Sequence, residues 1–200
     1  MERFSFCCIM MVEGGRGTNP IGVFIHNDAG SQNANAAFYQ KWLQTHNLEN
    51  GFAHYYVAHD GILQAEDDIN HAWHCGDTNG NNNYLSIEVC QSMGDIDIFK
   101  SKEEKALQLA AQKCKQYGIE QNQNTIRLHQ EMYATSCPHR SVEIHGGASG
   151  CNWNDPKMVR MVTQDALVFQ WIDSSCSNKK SPVEIPGDIN CYCLNKKRET

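Results

Sequence analysis

The sequence predicts an α/β fold in which a mixed central sheet is flanked by helices. Two observations lead to this prediction. Short apolar runs that suit buried strands alternate along the chain with segments whose apolar residues recur at helical spacing. Such alternation is typical of domains that cover a sheet with helices. At 200 residues, the chain is long enough to bury a core without covalent cross-links.

The first elements follow from the composition of the N-terminal quarter. Residues 1–20 are interpreted as a poorly specified lead-in, because the apolar run 6–12 is followed by glycines. The nearly all-apolar segment 21–26 suits a buried central strand, and the polar segment 27–31 has the composition of a loop. Between residues 33 and 46, alanine and aromatic residues recur at helical spacing, which predicts a helix.

The middle of the chain predicts a hairpin and a further interior strand. Segment 52–58 is rich in aromatic residues and is predicted to be a strand. The Asp-Gly pair at 60–61 is a hairpin signal, so segment 62–64 is expected to return beside that strand. Segment 77–83 contains four asparagines and one glycine in a polar run and is predicted to be a loop. Segment 84–90 is predicted to be a second interior strand.

The remaining elements alternate in the same way. The pattern Ser101–Glu104 is a capping box, which predicts a helix that begins there and ends at Gly118. A short strand is expected at 125–129, and the Asp-Pro pair at 155–156 predicts the start of a last helix. Beyond residue 174 the chain has no periodicity. The predicted domain therefore covers 21–173, followed by a linker-like or truncated tail at 174–200.

Charge and hydropathy narrow the classes of partner. The chain carries 17 basic and 23 acidic side chains, so a nucleic-acid or anionic membrane surface is not expected. No run approaches the roughly 18 apolar residues that a membrane helix needs, so we expect no membrane insertion. The start of the chain lacks a clear signal peptide, which predicts synthesis in the cytoplasm. We expect a monomer.

The ten cysteines leave two interpretations open at this point. They form a disulfide framework, or a subset binds metal. No pair has the CxxC spacing of a zinc ribbon or a thioredoxin site. Disulfides are rare in a reducing cytosol, which counts against the first interpretation if the chain stays there.

Three residues combine metal-ligand chemistry with a position at the end of a predicted strand. His26 ends the first strand, His129 ends the last strand, and Cys137 follows 8 residues later. Two imidazoles and one thiolate are the three protein ligands of an open catalytic zinc site. The alternative is that each is an ordinary interior or surface residue, and spacing alone does not decide between the two.

Glu88 is a second candidate, because it lies in the middle of an apolar strand. Ser86, Glu88 and Cys90 share one face of that strand. Burying an unpaired carboxylate is costly. Glu88 is therefore either a half-buried residue paired with a basic side chain or a general base beside a metal-bound water.

Five motifs, in order along residues 21–145, resemble those of the type 2 N-acetylmuramoyl-L-alanine amidases. They are the segment 23–31 (Val-Phe-Ile-His-Asn-Asp-Ala-Gly-Ser), His54 with Asp60–Gly61, the segment 72–77 (Ala-Trp-His-Cys-Gly-Asp), Ser86–Glu88, and Arg127–His129 with Thr135–Arg140. Each motif is weak alone, but their order makes the set specific. The resemblance is greatest to amidase domains of phage and prophage endolysins, and peptidoglycan recognition proteins share the fold.

The resemblance implies a zinc-dependent enzyme that cleaves the amide between N-acetylmuramic acid and L-alanine of the peptidoglycan stem peptide. It implies one Zn²⁺ on His26, His129 and Cys137, with Glu88 as the general base. It also implies that the protein acts on the bacterial wall after release, as endolysins do. The alternative is a non-catalytic peptidoglycan-binding protein, but relatives of that kind usually lack the cysteine ligand. An unrelated zinc hydrolase would leave the other motifs unexplained.

Two positions depart from the pattern that the resemblance implies. Many members carry Tyr where this chain has Ala53, and Lys where it has Thr135. The resemblance implies that both residues stabilise the developing oxyanion, so Thr135 is expected to take this role with one neutral hydrogen bond.

The expected substrate-binding residues lie in the same motifs. They are Asn27, Asp28, His54, Trp73 and His74. The alternatives are a solvated loop for Asn27 and Asp28 and a structural histidine for His54. His74 is expected to bind the wall or to orient a ligand rather than to bind metal.

Overall fold

The computed structural model describes residues 14–122 and 124–145, together with the short stretches 6–8 and 191–193. A five-stranded mixed sheet with the strand order β4-β3-β5-β2-β6 forms its centre. Its strands are β2 (Gly22–Asn27), β3 (Tyr55–Ala58), β4 (Gly61–Gln64), β5 (Tyr84–Val89) and β6 (Ile126–Leu128). Only the β3–β4 pair is antiparallel within this sheet. Two further strands, β1 (Phe6–Cys8) and β7 (Cys191–Cys193), pair in parallel.

Helices lie beside the sheet, so the predicted fold class is confirmed. The α-helices are α1 (Ala36–Trp42), α2 (Thr78–Asn83), α3 (Ile96–Tyr117) and α4 (His139–His145), and short 3-10 helices cover Leu48–Asn50 and His129–Glu131. None of the helices in the described ranges is long and apolar enough to cross a membrane. Cys75, Cys90, Cys114 and Cys137 are free thiols.

Alternation along the strands divides the core into two clusters. Val23 and Ile25 of β2 pack with residues of α3 in one cluster. Residues of α1 pack with Tyr56 in the other cluster. Because successive side chains point to opposite faces of a strand, His26 of β2 points away from α3. Side chains such as His26 on the face opposite α3 are therefore available to form a site.

Two predictions about the helices were wrong, and in both cases an aspartate explains the difference. Helix α3 begins at Ile96 rather than at the capping box, because Asp95 accepts hydrogen bonds from the amides of residues 97 and 98. The segment 77–83, predicted to be a loop, contains helix α2. The Asp77 side chain accepts from the Gly80 amide at 2.7 Å and caps this helix.

The other differences concern boundaries. The predicted helix 33–46 is reduced to α1, which Asn35 caps, and the strand expected at 52–58 begins only at Tyr55. The strand expected at 125–129 ends at Leu128, so His129 opens a 3-10 helix. The stop at Gly118 is confirmed, because this residue adopts a left-handed φ of 64° at the helix end. The helix expected from residue 155 lies outside the described residues.

Arg16 joins the segment before the predicted domain to the sheet. Its guanidinium donates to the carbonyl oxygens of Asp68, Asn70 and Asn82 at 3.1, 2.6 and 2.7 Å. Its backbone amide donates to Ile69 at 2.6 Å. We therefore propose that the domain begins before residue 21 and includes Arg16.

Substitution Arg16→Ala is expected to destabilise the domain by about 2–3 kcal/mol, because it leaves several half-buried carbonyl groups without their donor. Denaturant unfolding of the full chain measures this change. Lys100→Ala is the control, since it removes a cation that is 51% exposed and paired only at the surface. Equal effects of the two substitutions would refute a structural role for Arg16.

Candidate metal centre

Three side chains converge at one edge of the sheet. Single ligand atoms of His26, His129 and Cys137 all lie within 4.8 Å of one another. His26 is near the end of β2, and His129 follows the neighbouring parallel strand β6, so both emerge at the same edge. Cys137 precedes α4, and its Sγ lies 3.8 Å from Nδ1 of His26. The sequence predicted this set, and the structure brings its members together.

The surroundings of the cluster suit neutral imidazoles. Burial lowers the pKa of His26, and the neighbouring histidines lower it further. Burial also lowers the pKa of His129, whereas a hydrogen bond to the Cys75 carbonyl opposes this shift. Neutral rings keep a lone pair for a metal ion.

The surroundings of Cys137 favour the thiol over the thiolate in the absence of a cation. Burial raises the pKa of this thiol, and the charge of Glu88 adds to the effect. The Asn27 amide donates to Sγ at 3.2 Å, which favours the thiolate. A bound divalent cation would strongly favour the thiolate as well. Two imidazoles and one thiolate therefore fit a metal that prefers nitrogen and sulfur ligands, and they leave a fourth tetrahedral position open.

Glu88 faces the same side of the sheet as the cluster. It is paired with His26 of β2 on one side and with Tyr56 of β3 on the other. Side chains in register on neighbouring strands point to the same face. Burial raises the pKa of Glu88, and the charge of Asp28 adds to this shift. A carboxylate with a raised pKa is a stronger base.

A cavity of about 630 Å³ opens beside the cluster and Glu88. Its walls include the predicted residues Asn27, Asp28, Trp73 and His74. The aromatic side chains in its walls are those of Phe38, Tyr39, Trp42, Phe52, Tyr56 and Trp73. Trp73 is 41% exposed, which leaves its ring accessible to a ligand. The cavity can therefore hold a ligand within reach of the metal-binding atoms.

His54 does not fit its predicted role in substrate binding, because its side chain is fully buried. The Ser86 amide donates to its Nδ1 at 3.1 Å, and Nε2 lies 3.2 Å from the Asn70 carbonyl. Burial lowers the pKa of His54 to about 3, and the nearby Arg16 lowers it further. We interpret His54 as a structural histidine that joins β3 to β5.

Asn27 and Asp28 line the cavity, but their polar atoms are engaged in holding loops. Oδ1 of Asn27 accepts from the amides of Arg140 and Ser141 at 2.9 and 3.0 Å, which anchors α4. The Asp28 carboxylate accepts from the Gln91 amide at 2.8 Å and from the Tyr39 hydroxyl at 2.9 Å. These contacts explain the residues without a substrate, so their role in substrate binding stays a prediction.

Two positions bear on oxyanion stabilisation. The Thr135 hydroxyl accepts from the Cys137 amide at 3.2 Å, which places it beside the cysteine ligand. Tyr56, which the sequence analysis did not single out, lines the cavity, and its hydroxyl accepts from the Ala53 amide at 3.1 Å. Tyr56 lies opposite Glu88 on the neighbouring strand, and this position could have identified it. The sequence does not show which strands are neighbours, however.

His74 contacts the cluster from outside. Its Nδ1 lies 3.1 Å from Nε2 of His26. Burial lowers the pKa of His74, and nearby His54 adds to the effect. His74 therefore contacts the candidate ligand His26 and is not itself one of the three residues of the cluster.

The chain resembles a known family over most of the described residues. A family model described as N-acetylmuramoyl-L-alanine amidase matches residues 16–140. The match includes all three residues of the cluster.

Several phage and bacterial proteins are similar in sequence. Endolysin PlyTW of Staphylococcus phage Twort is 41% identical over 140 residues, which cover 66% of this chain and 29% of that protein. Endolysin LysK of Staphylococcus phage K is 38% identical over 160 residues, covering 73% of this chain and 31% of that protein. N-acetylmuramoyl-L-alanine amidase CwlA of Bacillus subtilis is 32% identical over 123 residues, covering 59% and 43%. The chain thus spans less than a third of the length of these two endolysins.

Solved structures share the fold. The structure of PlyL has a TM-score of 0.59 and 25% identity, with 72% of this chain and 91% of that chain covered. The PlyG catalytic domain has a TM-score of 0.61 and 21% identity, with 82% and 96% covered.

Proposed function

Because this chain belongs to the N-acetylmuramoyl-L-alanine amidase family, we propose that it hydrolyses the amide between N-acetylmuramic acid and L-alanine in bacterial peptidoglycan. The observation that carries the proposal is the cluster of two histidines and one cysteine, which lies with Glu88 along one cavity. The similar endolysins and CwlA support the same activity.

The metal in this proposal is one Zn²⁺ held by His26, His129 and Cys137. The donor set supports zinc, because hard cations such as Mg²⁺ and Ca²⁺ prefer oxygen ligands. When bound, zinc supplies Lewis acidity toward a carbonyl oxygen and lowers the pKa of water.

Glu88 moves the proton in the proposed reaction. Its carboxylate accepts a proton from water as the water oxygen adds to the amide carbon. The same proton then passes to the alanine nitrogen as the C–N bond breaks, which leaves a lactyl carboxylic acid and a free amine. The acid then transfers its proton to the amine or to solvent. The position of Glu88 next to His26 across the sheet supports this role.

The cavity walls supply the proposed substrate contacts. Trp73 offers an exposed ring, and Asn27, Asp28 and His74 contribute the nearby polar surface. Thr135 and Tyr56 are proposed as hydrogen-bond donors to the developing oxyanion. The polymeric wall is thus the proposed partner, and we propose that a monomer made in the cytoplasm acts on it after release.

Mass spectrometry of digested cell walls tests the proposed activity. Amidase action produces glycan that keeps an intact lactyl acid, together with new L-alanine amino termini. Cleavage at another bond would assign a different hydrolase activity. Binding to walls without any cleavage would instead indicate a recognition protein.

We expect Tyr56→Phe to lower kcat by about 10²-fold, the lower end of the effect of removing an oxyanion donor. The Tyr56 hydroxyl oxygen accepts a hydrogen bond from the Ala53 amide. The hydroxyl hydrogen therefore remains available for donation to a carbonyl group in the cavity. Release of L-alanine amino termini from walls measures the rate, and zinc content should stay unchanged. Tyr55→Phe is the matched control, because this neighbouring hydroxyl donates to Asp68 instead. An unchanged kcat in Tyr56→Phe would exclude the donor role.

A further inference from the structure

We infer that the segment from His74 to Asn81 is one positioning unit, which fixes the orientation and the tautomer of the ligand His26. The inference rests on the metal site of the proposed function. It adds that residues which do not bind the metal set the geometry of that site, and that Asn81 holds the unit together.

His26 uses its two ring nitrogens for different contacts. Nδ1 faces the cluster and lies 3.8 Å from Sγ of Cys137. Nε2 lies on the other side of the ring, 3.1 Å from Nδ1 of His74. The contact with His74 is thus the one that can hold the ring while Nδ1 binds a metal ion.

A backbone carbonyl determines where the protons lie along this chain of contacts. Nε2 of His74 lies 3.2 Å from the Gly80 carbonyl oxygen, which can only accept, so Nε2 carries the hydrogen. In a neutral His74 ring, Nδ1 is then the acceptor, and Nε2 of His26 must donate to it. The lone pair of His26 consequently lies on Nδ1, directed at the cluster.

Asn81 fixes the loop that carries His74. It is only 6% exposed, and its Oδ1 accepts from the amides of His74 and Cys75 at 2.8 and 3.0 Å. The loop also packs tightly on α2, since a Cβ on Gly80 would lie 2.3 Å from Sγ of Cys75. Loss of the Asn81 carbonyl would release both amides, and with them the contact of His74 with Nε2 of His26.

The zinc affinity of the full chain, measured by competition with a chromogenic chelator, tests this unit. We expect Asn81→Leu and His74→Leu each to weaken zinc binding by about 10- to 100-fold, as loss of a group that orients a ligand does. His74→Asn should recover part of the affinity, because its side-chain oxygen can accept from Nε2 of His26. Asn83→Leu is the matched control on the same helix, since Asn83 bonds to Asn79 at 2.8 Å and not to the loop.

A second measurement needs no variant. Nitrogen-15 NMR of the histidine rings in the metal-free wild-type protein should show His26 protonated at Nε2 and not at Nδ1. In His74→Leu, this preference should be lost. Protonation of wild-type His26 at Nδ1 would overturn the inference even if the variants fail to fold.

The outcomes also separate this inference from the proposed function. A wild-type protein that binds no zinc would contradict the metal site itself. A wild-type protein that binds zinc, with Asn81→Leu and His74→Leu binding as tightly as Asn83→Leu, would contradict only the positioning unit.

Discussion

Removal of metal by a chelator is expected to abolish wall lysis, and one equivalent of zinc is expected to restore it. The physical reason is that the cavity brings the two imidazoles and the thiol together at one edge, whereas Glu88 alone has no means of polarising an amide carbonyl. The turbidity of a wall suspension reports the loss and recovery, and zinc bound per chain is measured on the same samples.

The substitution Cys137→Ser isolates the ligand from general effects of chelation. Serine keeps the size of the side chain but does not supply a thiolate, so we expect loss of both bound zinc and lysis. The control is Cys114→Ser, because Cys114 is buried among the apolar residues that pack on α3. A metal-free sample that still lysed walls would contradict the proposed mechanism.

The substitution Glu88→Gln is expected to keep zinc and to lower kcat by about 10²–10⁴-fold, the contribution typical of a general base. Glutamine preserves the shape of the side chain but cannot accept the proton from water. Zinc content and the rate of release of L-alanine amino termini are measured on one preparation, so that loss of metal and loss of turnover are distinguished.

Glu104→Gln provides the control for this substitution, since Glu104 is exposed on α3 and bonds to Gln108. It should leave kcat unchanged. Full activity of the Glu88→Gln protein would refute the role of Glu88 as the base. Loss of zinc from it would show that Glu88 supports the metal site instead.

The fold class could be predicted from the sequence because strands and helices leave periodic traces. Segment 84–90 alternates apolar and polar residues, and the observed strand Tyr84–Val89 differs from the prediction by one residue. The start of α3 was harder to predict, because Asp95 and Ser101 are both residue types that cap helices. Asp95 is the observed cap, and the turn between the two residues packs Phe99 into the core.

Helix α2 was not predicted, for a different reason. Its sequence, Thr-Asn-Gly-Asn-Asn-Asn, has low helix propensity throughout. The Asp77 cap and the buried contacts of Gly80 and Asn81 outweigh that propensity. Such contacts depend on residues of the neighbouring loop, which no local pattern reveals.

By itself, the sequence determined which residue types were available for chemistry and roughly where each strand ended. His26, Glu88, His129 and Cys137 could be selected as candidates from their positions at or after strand ends, or in an apolar strand, and the resemblance to the amidases implied their roles. Only the tertiary structure decided which of the candidates meet. His54 and His74 look equivalent in sequence. In the structure, His54 accepts a hydrogen bond from the Ser86 amide of β5, whereas His74 contacts His26. The strand order β3-β5-β2-β6 places Glu88 beside His26 and leads β6 to His129, whereas hydrophobic periodicity specifies each strand but not its neighbours.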